Sequence, residues 1–307
     1  MKRALTILII LIISVCETQA LFDSTYWGVR AFGMGGAFTA VSDDANGPLY
    51  NVAGAGRVER GEITVTSAKL FTGLEGVDMS AGYAGIVYPL GLIGGSVCGA
   101  WSYFGNTGIS REDTLNIGYG RGLEELGIWE KMELSVGFLC KYVRQEVDFS
   151  ESVGGGSKES KGGFTFDLGL LARFPLYGIS LGISSKYITR PDVGFKYEDK
   201  VPCMNVIGIS YYSEELYLLK IPEFTIAADY QVRSGDEDVF RLGMESVILG
   251  GRLALRAGGW KEQINFGAGY EMKVGNSGVQ IDYGFGLPIE LQDNTGSHFL
   301  SLTYKFP

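Results

Sequence analysis

Proline is rare in this chain, 8 residues of 307, and histidine is rarer, with His298 the only one. Cysteine numbers four, with no CxxC pair and no metal-ligand spacing. Neither a zinc site nor a disulfide framework is indicated, and Cys98, Cys140 and Cys203 read as small apolar fillers. No basic block interrupts a net charge of −9, which excludes nucleic acid as a partner. Glycine is abundant, at 46, but it follows no strict period and so little proline accompanies it that collagen is excluded.

The same scarcities count against catalysis. Gly178-Ile179-Ser180-Leu181-Gly182 fits the GxSxG pattern, but a nucleophile elbow needs a strand-to-helix turn, a histidine base and an acid. Here the motif lies inside a predicted strand, and only His298 is available as a base. Gly33-Met34-Gly35-Gly36 is no dinucleotide loop, since its third glycine is misplaced and no strand–loop–helix unit surrounds it. The chain is read as a non-enzyme with no cofactor and no resident metal.

Residues 1–20 have the form of an export signal. Lys2 and Arg3 precede an apolar run from Ala4 to Val15, and Thr18-Gln19-Ala20 offers a small-residue cleavage site. The run is too short to span a bilayer as a helix. Cys16 follows Val15, which is bulkier than a lipidation site usually allows.

After this segment, alternation dominates. His298, Leu300, Leu302, Tyr304 and Phe306 fall on one face of the final block, with Phe299, Ser301, Thr303 and Lys305 on the other. Val279, Ile281, Tyr283 and Phe285 likewise alternate with Gln280, Asp282, Gly284 and Gly286. Such blocks, repeated without helices, predict an all-β fold: a transmembrane antiparallel β-barrel of about 14 strands in an outer membrane, with lipid outside. The uncharged stretch from Met79 to Ser110 is long enough for a membrane helix, but Pro89, Gly91 and five further glycines favour a hairpin turning at 89–91. Strands are predicted at 61–71, 79–88, 91–104, 113–121, 131–147, 163–174, 177–188, 204–212, 223–233, 238–248, 250–259, 263–273, 278–287 and 298–306.

The connections support the count. Tight ones at 89–90, 175–176, 249 and 274–277 are even-numbered, while long ones at 148–162, 189–203 and 288–297 are odd-numbered, as short periplasmic turns and long external loops require. Two even connections, 122–130 and 213–222, are longer than this rule expects. Strand charges fall on the polar face and predict lumen-facing Asp167, Arg173, Asp229, Arg241, Glu245, Arg252, Arg256, Asp282 and Lys305. Their mixed sign points to mutual pairing. Trp101, Tyr103, Tyr142, Tyr270, Tyr304 and Phe306 are placed as aromatic girdles, which a soluble β-sandwich would not need.

Residues 28–56 break the strand pattern. The run Gly28, Arg30, Gly33, Met34, Gly35, Gly36, Ala37, Phe38, then Asp43, Asp44 and Ala45, then Asn51, is small, compact and nearly uncharged. It suits packing inside a barrel, with residues 21–60 forming a hatch and 61–307 the barrel. Asp43 and Asp44 are candidates for a cation or, in preference, for satisfying backbone donors in a turn through Asn46-Gly47-Pro48. A buried Arg30 would need one of them as partner.

This run resembles the PorV/PorQ-like outer-membrane proteins, relatives of FadL-type fatty-acid channels. Their early segment reads Gly-x-Arg-x-x-Gly-Met-Gly-Gly-Ala-Phe, then Asp-Asp-Ala, then Asn-Pro-Ala-Gly-Leu. Here Val52 replaces the proline, Ala55 replaces the leucine, and Pro307 follows the terminal Phe306. The resemblance implies a fourteen-stranded barrel plugged by its N-terminal segment. FadL-like members capture hydrophobic molecules outside and release them sideways through the wall. PorV-like members instead serve protein secretion, for which the partner would be a secretion-system or surface protein docking on the external loops. The expected function is capture or passage of a hydrophobic small molecule, with the docking role as the alternative.

Overall fold

The computed structural model describes residues 27–74, 76, 78–91, 93–123, 131–150, 156–216, 221–234, 237–289, 291 and 294–307. The expected export signal at 1–20 and the start of the 21–60 segment lie outside these residues.

Alternation does become strand throughout. In chain order the strands are β1 (Glu62–Leu70), β2 (Met79–Pro89), β3 (Ser96–Asn106), β4 (Ser110–Gly122), β5 (Glu133–Asp148), β6 (Lys158–Phe174) and β7 (Ile179–Lys186). They continue as β8 (Met204–Leu216), β9 (Ile221–Arg233), β10 (Val239–Ile248), β11 (Leu253–Trp260), β12 (Gln263–Val274), β13 (Ser277–Pro288) and β14 (Ser297–Lys305). Each pairs antiparallel with its neighbours, and β1 meets β14 from Glu62 opposite Lys305 to Lys69 opposite His298, closing the barrel. Closure removes every free sheet edge along the paired length.

One face of each strand is buried and the other is oily. β1 alternates buried and exposed along its whole length, with Val65 on the outside 54% exposed. Ile117, Phe164, Ile207, Leu300 and Leu302 are likewise exposed on the outer wall. A continuous apolar exterior of this kind is stable against hydrocarbon rather than water. Trp101 and Tyr103 lie together on it, as do Tyr142 and Phe164. Tyr88, Tyr304 and Phe306 gather at the end that carries the termini.

Three boundaries differ from the sequence expectation. β3 starts at Ser96, not 91, because Gly94 and Gly95 take positive φ and continue the turn. β8 runs to Leu216 and β9 starts at Ile221, so the expected long even connection at 213–222 shrinks to 217–220. The expected external loop at 148–162 gives up its last five residues to β6, since Lys158 to Gly162 are strand and Asp148 pairs with Lys158; backbone pairing carries this ribbon on where its side chains turn polar.

Residues 27–58 lie inside the ring. They form a short helix α1 (Val29–Gly33) and two 3₁₀ turns, Gly47–Leu49 and Val52–Arg57. Asn51 caps the second turn: its Oδ1 accepts from Ala53 N at 3.1 Å, while Nδ2 donates to Thr39 O and to Leu170 O of β6, both at 3.0 Å. Small residues allow this filling. Gly35 has φ +65°, and a Cβ there would sit 2.2 Å from Gly259 N and 2.8 Å from Leu242 O. Both are wall backbone and cannot yield cheaply. Gly35→Ala is therefore expected to destabilise the barrel by about 1–3 kcal/mol, read as a lower urea midpoint in detergent, and an unchanged midpoint would contradict this packing.

Candidate functional site

The inner segment is fastened to the wall at its charged and polar residues. α1 buries Val29, Ala31 and Phe32 completely, with Phe32 stacked on Phe299 of β14 at 3.8 Å between ring centroids. Asn265 of β12 donates to Phe32 O at 2.7 Å. This leaves Arg30 as the helix's one partly open side chain, directed at carboxylates.

Arg30 holds the segment's own turn and the wall together. Its Nη1 donates to Asp43 Oδ1 at 2.6 Å and Asp44 Oδ2 at 3.0 Å. Its Nη2 and Nε donate to the two oxygens of Glu245 of β10 at 2.8 and 3.0 Å. Burial disfavours the Arg30 charge, but Asp43, Glu245 and Asp44 outweigh it and hold its pKa well above the ordinary arginine value. Glu245 also accepts from Arg256 Nε at 2.5 Å, and Arg256 Nη1 donates to Asp282 Oδ1 at 2.6 Å. The chain of pairs thus runs from the inner segment through β10 and β11 to β13. A polar cavity of about 250 Å³ opens beside it at the termini end, lined in part by Arg30, Asp44, Glu62, Glu245 and Asp282.

Further anchors lie on other sides. Asp229 of β9 accepts from Phe38 N and Thr39 N at 3.1 and 3.0 Å. Glu62 of β1 accepts from Ala45 N at 3.1 Å, and Tyr83 of β2 donates to Ala45 O at 2.6 Å. Asp44 Oδ1 accepts from Asn46 N and Gly47 N at 2.8 and 3.1 Å, the turn role preferred for it from sequence.

The predicted residues fall into groups. Gly28, Arg30, Gly33, Met34, Gly35, Gly36, Ala37, Phe38, Asp43, Asp44 and Asn51 all belong to the inner segment. Asp167, Asp229, Arg241, Glu245, Arg256 and Asp282 are buried on the inner wall. Lys305 is half-buried and pairs with Glu271 at 2.7 Å. One placement is corrected. Arg173 is exposed at the end of β6, with the inward parity but at the rim, beyond the packed interior. Arg252, in the turn before β11, lines the polar cavity beside Arg30. Alternation fixes a side chain's face but not its height. Glu62, Lys186 and Asn265 were missed, though parity alone places them inside.

Ser180 and His298 do not come together. β7 and β14 lie half the ring apart, and His298 Nδ1 is bonded to the Tyr283 hydroxyl at 2.7 Å.

A second charged knot lies at the opposite end, in the β7–β8 connection. Asp192 accepts from Gly194 N at 3.0 Å and Asp199 N at 2.8 Å, and pairs with Lys161 of β6. The Lys161 hydrogen bond, followed by the two backbone donors, brings the Asp192 carboxyl down to about 2. A carboxylate depressed in the folded state contributes stability above its unfolded pKa and loses it as pH falls through the folded value. Amide protection at Gly194 and Asp199 is therefore expected to hold from neutral pH to roughly pH 4 and to disappear toward pH 2. Hydrogen exchange across that range checks it; loss already near pH 5 would contradict the assignment.

Comparison with known proteins places the fold. The chain superposes on the Pseudomonas putida toluene transporter TodX with a TM-score of 0.61 at 12% identity, covering 92% of this chain and 99% of that one. The Ralstonia pickettii toluene transporter TbuX gives 0.56 at 12% identity over 93% and 99%. A Pseudomonas aeruginosa FadL homologue gives 0.53 at 10% identity over 95% and 99%. The barrel is FadL-like in fold. No protein-family model matches the sequence, and no curated protein matches it.

Proposed function

We propose that this protein is an outer-membrane barrel that takes up a hydrophobic small molecule, with the segment at 21–60 as its gate. The observation that carries this reading is a FadL-like barrel, shared over nine-tenths of both chains, whose lumen is filled by a segment fastened through Arg30 and Glu245. The filled lumen and its polar termini-side cavity do not suit a wide aqueous pore. An apolar groove of about 460 Å³ on the outer wall, lined by Ile86, Leu115, Ile117, Tyr142 and Phe164 among others, is where a membrane-dissolved molecule would meet the protein. TodX and TbuX are toluene transporters, which makes a monoaromatic hydrocarbon one probe and a fatty acid the other.

The test is uptake of radiolabelled toluene and oleate by cells whose outer membrane carries this barrel. Accelerated uptake of either, lost when the barrel is absent, is the expected result. Equal uptake with and without the barrel for both probes would overturn the reading. The secretion-docking alternative rests on the sequence resemblance alone.

A further inference from the structure

The β7–β8 connection spans residues 187–203; the sequence predicts an external loop over 189–203, yet part of it turns into the barrel. Val193 and Val201 are completely buried, packed with Tyr187, Val143 of β5 and Met204 of β8. Pro191 lies against Gly163 of β6, where a Cβ would come within 2.5 Å of the proline ring. Tyr187 N donates to Asp167 Oδ1 at 2.9 Å. The Tyr187 ring covers Lys141 Nζ at 4.1 Å, and Lys141 pairs with Asp167 at 2.6 Å. The connection also closes on itself, through Val193 N to Asp199 O at 2.9 Å and Val201 N to Pro191 O at 3.0 Å.

Two features mark it as able to leave. Tyr187 and Arg190 hold φ of +55° and +51°, strained for side-chain-bearing residues and retained only while the surroundings enforce it. Tyr187 to Thr189 are bonded to β6 directly, with Ile188 N donating to Phe166 O at 3.1 Å and Thr189 Oγ1 to Phe164 O at 2.9 Å. Beyond them the side chain that fastens the connection to β6 is Lys161, which reaches both Asp192 and Gly194 O, the latter at 2.7 Å. Lys161 is 40% exposed and Asp192 33%, so water and salt screen the pair. The apolar cluster beneath the connection is separate from the one formed by residues 27–58. Either element can therefore move without unpacking the other's core.

We propose that residues 190–203 are a second closure of the lumen, a lid at the end opposite the termini, hinged where Tyr187 to Thr189 stay bonded to β6, strapped by Lys161–Asp192 and released independently of the N-terminal segment. This rests on the passage reading above. Uptake would then require two events in series, lid release at the outer mouth and displacement of the inner segment below it.

The experiment combines hydrogen exchange with planar-bilayer conductance on four full barrels: the wild type, Lys161→Ala with Asp192→Ala, a barrel lacking residues 27–56, and the combination. Arg30→Ala replaces the deletion if the deleted barrel fails the heat-shift test of folding. The strap variant is expected to lose protection at Val193 to Val201 by roughly tenfold or more, and only the combination is expected to conduct fully. Unchanged protection in the strap variant overturns the strap. Lost protection with the N-terminal deletion alone conducting as well as the combination overturns the lid. A closed combination with lost protection shows instead that the passage reading has failed, and the lid with it.

Discussion

A barrel that keeps residues 1–20 but lacks residues 21–56 is expected to conduct about tenfold or more above the intact protein in planar bilayers once the 187–203 connection is also released. The magnitude follows from what the segment occupies. Val29, Ala31, Phe32, Met34, Phe38, Val52 and Ala53 are all essentially inaccessible to solvent, so the space they fill becomes water when they are absent. The polar inner wall, with Asp167, Asp229, Arg241, Glu245 and Arg256, would then be hydrated and form an ion path. Conductance that remains at the intact level, in a barrel shown to be folded by heat-dependent gel mobility, would defeat the gating role.

Glu245→Ala is expected to cost about 3–5 kcal/mol, the usual penalty for leaving a buried charge without its partner. Two guanidiniums are affected at once. Arg30 keeps Asp43 and Asp44, and Arg256 keeps Asp282, so neither is stripped bare, but both lose their shared carboxylate. Among the described residues Glu245 is the wall carboxylate that Arg30 reaches; Asp43 and Asp44 belong to the same inner segment and move with it. The substitution therefore weakens the barrel and frees the gate together. Asp43→Asn should weaken one pair within the inner segment while leaving the wall contact in place. The midpoint of the heat-induced gel shift measures the first effect and conductance the second. A Glu245→Ala barrel as heat-resistant as the parent would show that the pairs contribute little beyond their desolvation cost.

Much of this was legible from residues alone. Strands need only alternation, and alternation is local, so the fourteen elements and their inward faces could be read one at a time. The small-residue run from Gly28 to Phe38 could be read as close packing, and Asp44 as a turn former, because both depend on side-chain size and on hydrogen bonds a few residues away. The pairing of Arg30 with an aspartate was within reach for the same reason, since they stand 13 and 14 positions apart.

What could not be read depends on separations that no pattern encodes. Glu245 lies 215 positions from Arg30, and only closure of β1 on β14 fixes which wall position faces α1. Height along a strand is equally silent in a period of two, which is why Arg173 carried the right parity and still ended at the rim. The 187–203 connection shows the limit most clearly. Its charges and aromatics read as a water-facing loop, yet Val193 and Val201 find a core only because Gly163 leaves room and Val143 and Met204 stand opposite. The sequence by itself determined a membrane-facing barrel with a compact segment preceding it. The tertiary structure decided which carboxylate locks that segment and which loop folds in above it, because both are settled by ring closure and by packing across the lumen.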